Sequence, residues 1–452
     1  RLDKFYNSIT RVYDPHTHYL IPEEKEDFDI DMSGKLEGIG ALLREENSYI
    51  KVERIIPGSA SWKGKELKAE DIILAVGQGE EDPVDVVDMS LRDAVKLIRG
   101  KKGTTVKLTV KRPDGSKKVI PIVRDEVVIE ESYVKSSVIE HKDSKVKIGY
   151  IVVPKFYRDF ENPMGRNCSN DVRAELEKLK KKNVQGIILD LRNNGGGALE
   201  DARLMSGLFI KKGPIVQVKA HTGAKEVLKD IDGKITFKKP VVVLVNRFSA
   251  SASEIVAAAL QDYGRAIVVG SGEQTHGKGT VQAVVGLDRY AGPVGQAYLP
   301  LGALKITIQM FYRITGGSTQ FRGVTPDIIL PDPYAYMDSG ERSLDYAIPY
   351  GKIGEVSFKK WTDNKYDLNS IISNSKERVK KNKKFSQITE SVEWYKERRE
   401  DSERSLELKE MIKYRDEAFK KSEEFKNEDL NKKIIVTTYQ KLRDDVDKEK
   451  EK

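Results

Sequence analysis

VVVLVNRFSASASEIVAAALQDYGRAIVVGSGEQTHGKGTVQ, residues 241–282, decides how the rest of the chain is read. VVVLV at 241–245 is apolar and mostly β-branched, as a strand buried on both faces requires. A turn, RFSASASE, leads into IVAAALQDY, which has the spacing of a crossover helix, and AIVVG returns as a second strand. The serines therefore stand at a strand-to-helix turn. A hydroxyl there is presented at the carboxyl end of a strand, beside helix N-terminal N–H groups that can stabilise a developing oxyanion. Ser251-Ala252-Ser253-Glu254 also spells a capping box, with Ser251 as N-cap and Glu254 reaching back from N3. The stretch by itself is compatible with a nucleophile or with a cap.

Working outward, apolar strands at 148–153, 186–191, 215–218, 241–245 and 267–269 alternate with helical stretches near 172–181, 199–209 and 254–262. That alternation predicts an α/β layer with mostly parallel strands. DLRNNGGG at 190–197 leaves one strand and enters a helix, and its three glycines let backbone N–H groups approach a ligand closely, as an oxyanion hole or anion nest requires. A flexible connecting turn would read the same way. GEQTHGK at 272–278 fits the first seven positions of a phosphate-binding loop. Gly279 then replaces the required Ser or Thr, and TVQAVV at 280–285 alternates like a strand where a helix is needed, so nucleotide binding is set aside.

Toward the N-terminus, Leu2, Phe5, Tyr6 and Ile9 have helical spacing, and Pro15 within DPHTHYL (14–20) breaks the helix. His16 and His18 lack a nearby third ligand, and no metal or other cofactor is assigned. From Gly38 onward a glycine-rich loop, a strand at 49–56, a Pro57-Gly58 turn, a strand at 72–76, a helix at 90–99 and a strand at 104–111 follow in an order that resembles a PDZ domain. In that fold the loop, here Gly38, Ile39, Gly40 and Ala41, offers N–H groups to a peptide's terminal carboxylate while the peptide adds a strand beside the groove helix. The segment from 334 to 452 is rich in charge, with scattered apolar residues such as Phe385, Ile388, Val392, Leu406, Leu408, Met411 and Ile412, and predicts charged helices.

A length of 452 residues suggests roughly three domains. The 79 basic and 71 acidic residues are interspersed, so a net charge of +8 does not imply a nucleic-acid surface. No run of about 18 apolar residues appears, and nothing is expected to span a membrane. The chain opens at Arg1 with neither an initiator Met nor a signal peptide, and the expectation is that the true N-terminus lies upstream. A single cysteine, Cys168, excludes an intrachain disulfide and is compatible with either redox compartment.

Over nearly its whole length the chain resembles the tail-specific, or C-terminal processing, serine proteases of bacteria. DPHTHYL (14–20), LEGIGA (36–41), DLRNNGGGA (190–198), NRFSASASEI (246–255), GKGTVQ (277–282) and GGSTQFRGVTPDI (316–328) stand in the family's order. The resemblance implies a Ser-Lys dyad with Ser251 as nucleophile, Lys278 as general base and Gln282 orienting the lysine. It implies an oxyanion hole from the N–H groups of Gly197 and Ala252, and structural roles for Ser249 and Ser253. Ser251 and Lys278 stand 27 positions apart, two more than the resemblance gives, because 271–275 is longer, and His276 stands where an aromatic such as Phe is usual.

The implied architecture is α/β (α+β, multidomain). Residues 1–33 end an N-terminal helical region, 34–126 form an inserted PDZ domain, 127–335 an α/β protease core, and 336–452 a charged helical C-terminal region. In larger members of the family the two helical regions pack together. The implied activity is endopeptidase cleavage of periplasmic proteins that expose apolar C-termini; whether an adaptor delivers them stays open. The alternative is a non-catalytic PDZ peptide-binding scaffold, and the intact Ser251, Lys278 and Gln282 favour the enzyme. An exposed lysine near pKa 10.4 is protonated at neutral pH, so a lysine base requires desolvation to lower that value.

Overall fold

The computed structural model describes residues 2–141, 143–363, 366–425 and 434–437. Two compact units are present, Ser33–Ser132 and the remainder of the chain on either side of it.

The larger unit is built on a seven-stranded sheet in the order Ile328–Leu330, Ile267–Ser271, Val241–Asn246, Gly186–Asp190, Lys147–Val152, Lys135–His141, Ile434–Thr437. The first five strands are parallel neighbours and the last two add on antiparallel. Leu189, Val243 and Val268 in its central strands are fully buried, as are Leu176 and Leu179 of the helix Cys168–Lys181 and Val256 and Leu260 of the helix Ala252–Asp262. Because Gly186–Asp190 and Val241–Asn246 are parallel neighbours, their carboxyl ends lie side by side. The glycine loop and the serine turn therefore emerge at one edge, the usual place for a ligand crevice in an open α/β sheet.

A second, five-stranded sheet is antiparallel throughout: His18–Leu20, Ala303–Tyr312, Gly213–Ala220 and Lys225–Asp230 in that order, with Thr280–Gly286 also paired to Ala303–Tyr312. The strand expected at 215–218 belongs here and not to the parallel layer. The strand Gly213–Ala220 folds back in a hairpin with Lys225–Asp230, a local antiparallel pairing that strand–helix alternation does not reveal. Thr280–Gly286 is a strand, as its alternation predicts, which removes the helix a phosphate-binding loop would need. Its register places Gln282 opposite Thr307.

The C-terminal segment forms the helices Leu368–Lys381, Lys383–Glu400 and Leu408–Glu424. The helical expectation fails at Ile434–Thr437, where a β-branched IIVT run pairs with Lys135–His141; residues 426–433 and 438–452 lie outside the described residues. Among the described residues no helix is long and apolar enough to cross a membrane.

The smaller unit is a six-stranded antiparallel sheet with the helix Leu91–Ile98, whose N-cap Ser90 accepts from the Asp93 N–H. Ile50, Val52, Ile73, Leu108 and Ile120 fill its core. Its entry strand Lys35–Gly38 pairs antiparallel with its exit strand Asp125–Val128. In the loop at Gly38–Ala41, Gly40 has φ +77° and approaches Ser59 so closely that a Cβ would lie 2.0 Å from the Ser59 Cβ, so only glycine fits. The loop's carbonyls are committed: Ile39 O accepts from Ser61 N–H at 2.9 Å, and Gly40 O from Ile56 N–H at 2.9 Å and from the Ser59 hydroxyl at 3.1 Å. The Ile39 and Gly40 N–H groups have no acceptor among the described residues.

Candidate active site

Ser251 is the N-cap of the helix Ala252–Asp262 and holds φ +56°, ψ −112°, a conformation L-residues rarely adopt. This is a strained strand-to-helix elbow of the kind that thrusts a side chain into a site. The strain follows from its surroundings. Ala250 N–H donates to Asn194 O at 3.0 Å, and Gly196 packs so near that a Cβ on it would lie 2.8 Å from the Ser251 Cβ. Two flanking serines are tied into the fold. Ser249 Oγ donates to Leu191 O at 2.8 Å, and Ser253 Oγ donates to Asn194 O at 2.8 Å; both are fully buried. Ser251 and Glu254 pair as a capping box, the serine oxygen facing the Glu254 N–H and the Glu254 carboxylate accepting from the Ser251 N–H, and the hydroxyl donates to no group among the described residues.

The glycine loop is bound to the same elbow. Asn193 and Asn246 exchange hydrogen bonds of 3.0 and 2.7 Å, Asn194 Nδ2 donates to Val153 O at 2.7 Å, and Gly196 N–H donates to Asn194 Oδ1 at 2.9 Å. Gly196 and Gly197 have φ of +103° and +140°, and a Cβ on Gly197 would lie 2.2 Å from Phe156 O. The Gly197 and Ala252 N–H groups have no acceptor among the described residues. Both residues line one cavity of about 720 Å³ together with Ser251, Lys278 and Gln282, so two unpaired donors share the cavity with the serine hydroxyl, an arrangement able to stabilise a tetrahedral oxyanion.

Lys278 stands between two glycines for a steric reason. A Cβ on Gly277 would press on the Phe321 backbone at 3.1 Å and one on Gly279 would meet Ser318 Oγ at 2.5 Å. The same segment grips the loop: Phe321 N–H donates to Gly277 O at 2.8 Å, Thr319 Oγ1 to Lys278 O at 2.9 Å, and Gly279 N–H to Gln320 Oε1 at 2.6 Å. The Lys278 residue keeps some surface at the cavity mouth, yet its ammonium lies deep among protein atoms, and that burial, reinforced by Lys305, lowers its pKa from 10.5 to about 8. Nζ donates to Gln282 Oε1 at 2.7 Å.

Glu254 joins the two loops. Its carboxylate, fully buried, accepts from Ser251 N–H (2.7 Å) and Lys278 N–H (3.0 Å) through Oε2, and from Gly277 N–H (2.7 Å) and the Thr275 hydroxyl (2.5 Å) through Oε1. Burial pushes its pKa up to about 7 against the pull of those donors. Sequence reading gave Glu254 only a capping role; the matching donors come from a loop about twenty residues on, and nothing in local spacing announces them.

His276 does not line the cavity. Its Nε2 lies 3.5 Å from Glu341 Oε2, and Glu341 N–H donates to His276 O at 2.9 Å. Glu341 is itself buried; burial raises its pKa, but hydrogen bonds with His16 and His276 outweigh that and bring it down to about 2. Among the described residues no group of three or more His, Cys, Asp or Glu side chains is arranged to hold a metal ion.

The chain matches known proteins over most of its length. Residues 147–330 match peptidase family S41, residues 27–111 match the PDZ domain, and residues 334–452 match the C-terminal domain of tail specific protease. The chain is 39% identical over 409 residues to the tail-specific protease of Haemophilus influenzae, covering 90% of this chain and 57% of that one. It is 33% identical over 375 residues to the carboxy-terminal processing protease CtpA of Bacillus subtilis, covering 80% of this chain and 73% of the relative. The chain belongs to the PDZ-containing C-terminal processing protease family. A solved structure of a photosystem II D1 C-terminal processing protease overlaps 73% of this chain and 82% of its own, at 25% identity and a TM-score of 0.40. Since the chain spans little more than half of the Haemophilus relative, the family is established here by the Bacillus protease.

Two stability measurements test the site's physical character. Ser251→Gly relieves the left-handed strain and is expected to raise unfolding stability in urea by about 1 kcal/mol; no gain would mean the elbow is unstrained. Lys278→Met is expected to stabilise the protein at pH 7 by on the order of 3 kcal/mol, the cost of lowering the lysine from 10.5 to about 8. Below pH 8 the wild-type lysine is protonated both folded and unfolded, so the full penalty applies. Between about 8 and 10.5 the unfolded chain alone binds the proton, wild-type stability climbs, and the advantage of Met should disappear.

Proposed function

We propose that this chain is a serine endopeptidase in which Ser251 is the nucleophile, Lys278 the general base, Gln282 the residue that orients the lysine, and the Gly197 and Ala252 N–H groups the oxyanion hole. The observation that carries the reading is the difference among three neighbouring serines: Ser249 and Ser253 have committed hydroxyls, whereas Ser251 has none of these ties and shares a cavity with a partly dehydrated lysine. In this reading Ser251 Oγ attacks the scissile carbonyl carbon as its proton passes to neutral Lys278 Nζ. The Gly197 and Ala252 N–H groups take the negative oxygen, and the lysine returns the proton to the leaving amine. Water then attacks the acyl-enzyme, with the same amine as base. The Gln282 contact occupies one face of the amine and leaves its lone pair for the serine.

Substrates are proteins with exposed apolar C-termini, captured by the loop Gly38, Ile39, Gly40 and Ala41. The unpaired Ile39 and Gly40 N–H groups support carboxylate capture, since the carbonyls of the same residues are held by the fold. The relatives' names support tail recognition as the purpose of that capture. A periplasmic location belongs to the same reading and is tested by cell fractionation.

Ser251→Ala is expected to fold and to lose peptide-bond hydrolysis, and a fluorophosphonate should label Ser251; an adduct on Ser253 alone would overturn the assignment. Lys278→Arg should abolish turnover, because guanidinium stays protonated and cannot act as a base, while His276→Ala keeps most of its activity. For the wild type, kcat/KM should rise through about pH 8 as Lys278 loses its proton and then level off. An active Lys278→Arg enzyme would sink the dyad.

Amidating the terminal carboxylate of a tail peptide should weaken its binding by at least about tenfold, the loss of a charge-assisted contact. Equal affinities by calorimetry would exclude carboxylate capture.

A further inference from the structure

The amide of Gln282 can present either oxygen or nitrogen to Lys278, and only the oxygen accepts a hydrogen bond from the amine. Its direction is set from elsewhere. Gln282 Nε2 donates to Thr280 Oγ1 at 3.0 Å and to Thr307 Oγ1 at 3.0 Å, which turns Oε1 toward Lys278 Nζ at 2.7 Å. Thr307 can accept from Gln282 because its one hydroxyl proton is already given to Asp14 Oδ1 at 2.9 Å. Asp14 is buried and receives three donors, the Thr307 hydroxyl, the His16 N–H at 2.9 Å and the Thr17 hydroxyl. Thr17 Oγ1 in turn accepts from Thr307 N–H at 3.1 Å, locking the N-terminal segment against the strand Ala303–Tyr312.

We propose that Asp14 and Thr307 are positioning residues for the base: the Asp14 carboxyl group fixes the direction of the Thr307 hydroxyl, Thr307 fixes the Gln282 amide, and the amide presents its oxygen to Lys278. Neither residue lines the cavity, so neither touches a substrate. If Asp14 is removed, the Thr307 proton is free to turn toward Gln282, the amide flips, and a nitrogen with its two hydrogens faces the lysine. The proposal assigns a role to the DPH-T spacing of Asp14 and Thr17, and it rests on Lys278 being the base.

Kinetics of single and double variants on one peptide test it. Thr307→Val, nearly isosteric, should lower kcat by about tenfold, a fraction of a general base's contribution, with KM little changed. Thr307→Ser should restore most of kcat. Asp14→Ala should fall similarly, and Asp14→Asn, which keeps an acceptor oxygen for the Thr307 hydroxyl, should recover most of the loss. In a Gln282→Ala background neither Thr307→Val nor Asp14→Ala should cost more than about twofold, because the amide they orient is gone. Losses that multiply in the double variants, or a wild-type kcat for Thr307→Val, would overturn the relay. If circular dichroism shows Thr307→Val to be unfolded, the Asp14→Ala, Asp14→Asn and Gln282→Ala set decides alone. Failure of the dyad itself is separately visible: Lys278→Arg would then be active, whereas a failed relay leaves Lys278→Arg dead beside a fully active Thr307→Val.

Discussion

The site depends on one buried carboxylate. Glu254 accepts from the backbone on both sides of the cavity, so the elbow at Ser251 and the loop at Lys278 cannot drift apart without stranding four donors. Each buried polar group left unsatisfied costs about 1–3 kcal/mol, which makes their joint displacement prohibitive on the scale of a domain's total stability. The same burial that makes Glu254 a rigid anchor works against its charge, and four donors are what hold it in place. The fold spends stability twice within a few residues, on this carboxylate and on the dehydrated lysine, and recovers it in the apolar packing of the helix Ala252–Asp262, whose Ile255 to Leu260 run is buried throughout.

The parallel layer and the two functional turns were legible from residues 241–282 because a doubly buried strand, a crossover helix and a second strand leave strong local patterns. The turn carries the capping box that the sequence spells, with Glu254 reaching back to the Ser251 N–H, while the serine hydroxyl donates to no group among the described residues. What could not be read was pairing at a distance. The strand at Gly213–Ala220 has ordinary apolar spacing, which says nothing about which sheet it joins. Asp14, Thr307 and Glu341 acquire their partners through tertiary contacts with no period in the chain, so DPHTHYL could be recognised as a motif while the work of its aspartate stayed invisible. The IIVT strand was obscured by the charge around it.

The smaller unit enters the chain through paired strands. With Lys35–Gly38 hydrogen-bonded to Asp125–Val128, about a hundred residues leave and return at neighbouring points, so for the remainder of the fold the insertion closes like a short loop. Loop-closure entropy grows only with the logarithm of length, and a closure already made inside the inserted unit adds little to the cost of folding the larger unit. The division of labour is also chemical. In the loop at Gly38–Ala41 the unpaired groups are donors and suit a carboxylate; at Gly197 and Ala252 they are donors again, lining one cavity with the Ser251 hydroxyl.

The contacts around Lys278 come from a wide span of the chain, between residues 14 and 341. Asp14 and His16 arrive from its first residues, Thr307 and Gln320 from well past the lysine, and Glu341 from later still. During synthesis a ribosome that has delivered the elbow, the glycine loop and the lysine has not yet delivered Thr307 and Gln320, which hold Gln282 and the lysine loop in register. The geometry of the lysine loop thus waits on contacts between residues far apart in the chain, whose loop-closure entropy is met before they reward it. The cavity around Lys278 is therefore complete only after segments on both sides of it in the chain have been packed away.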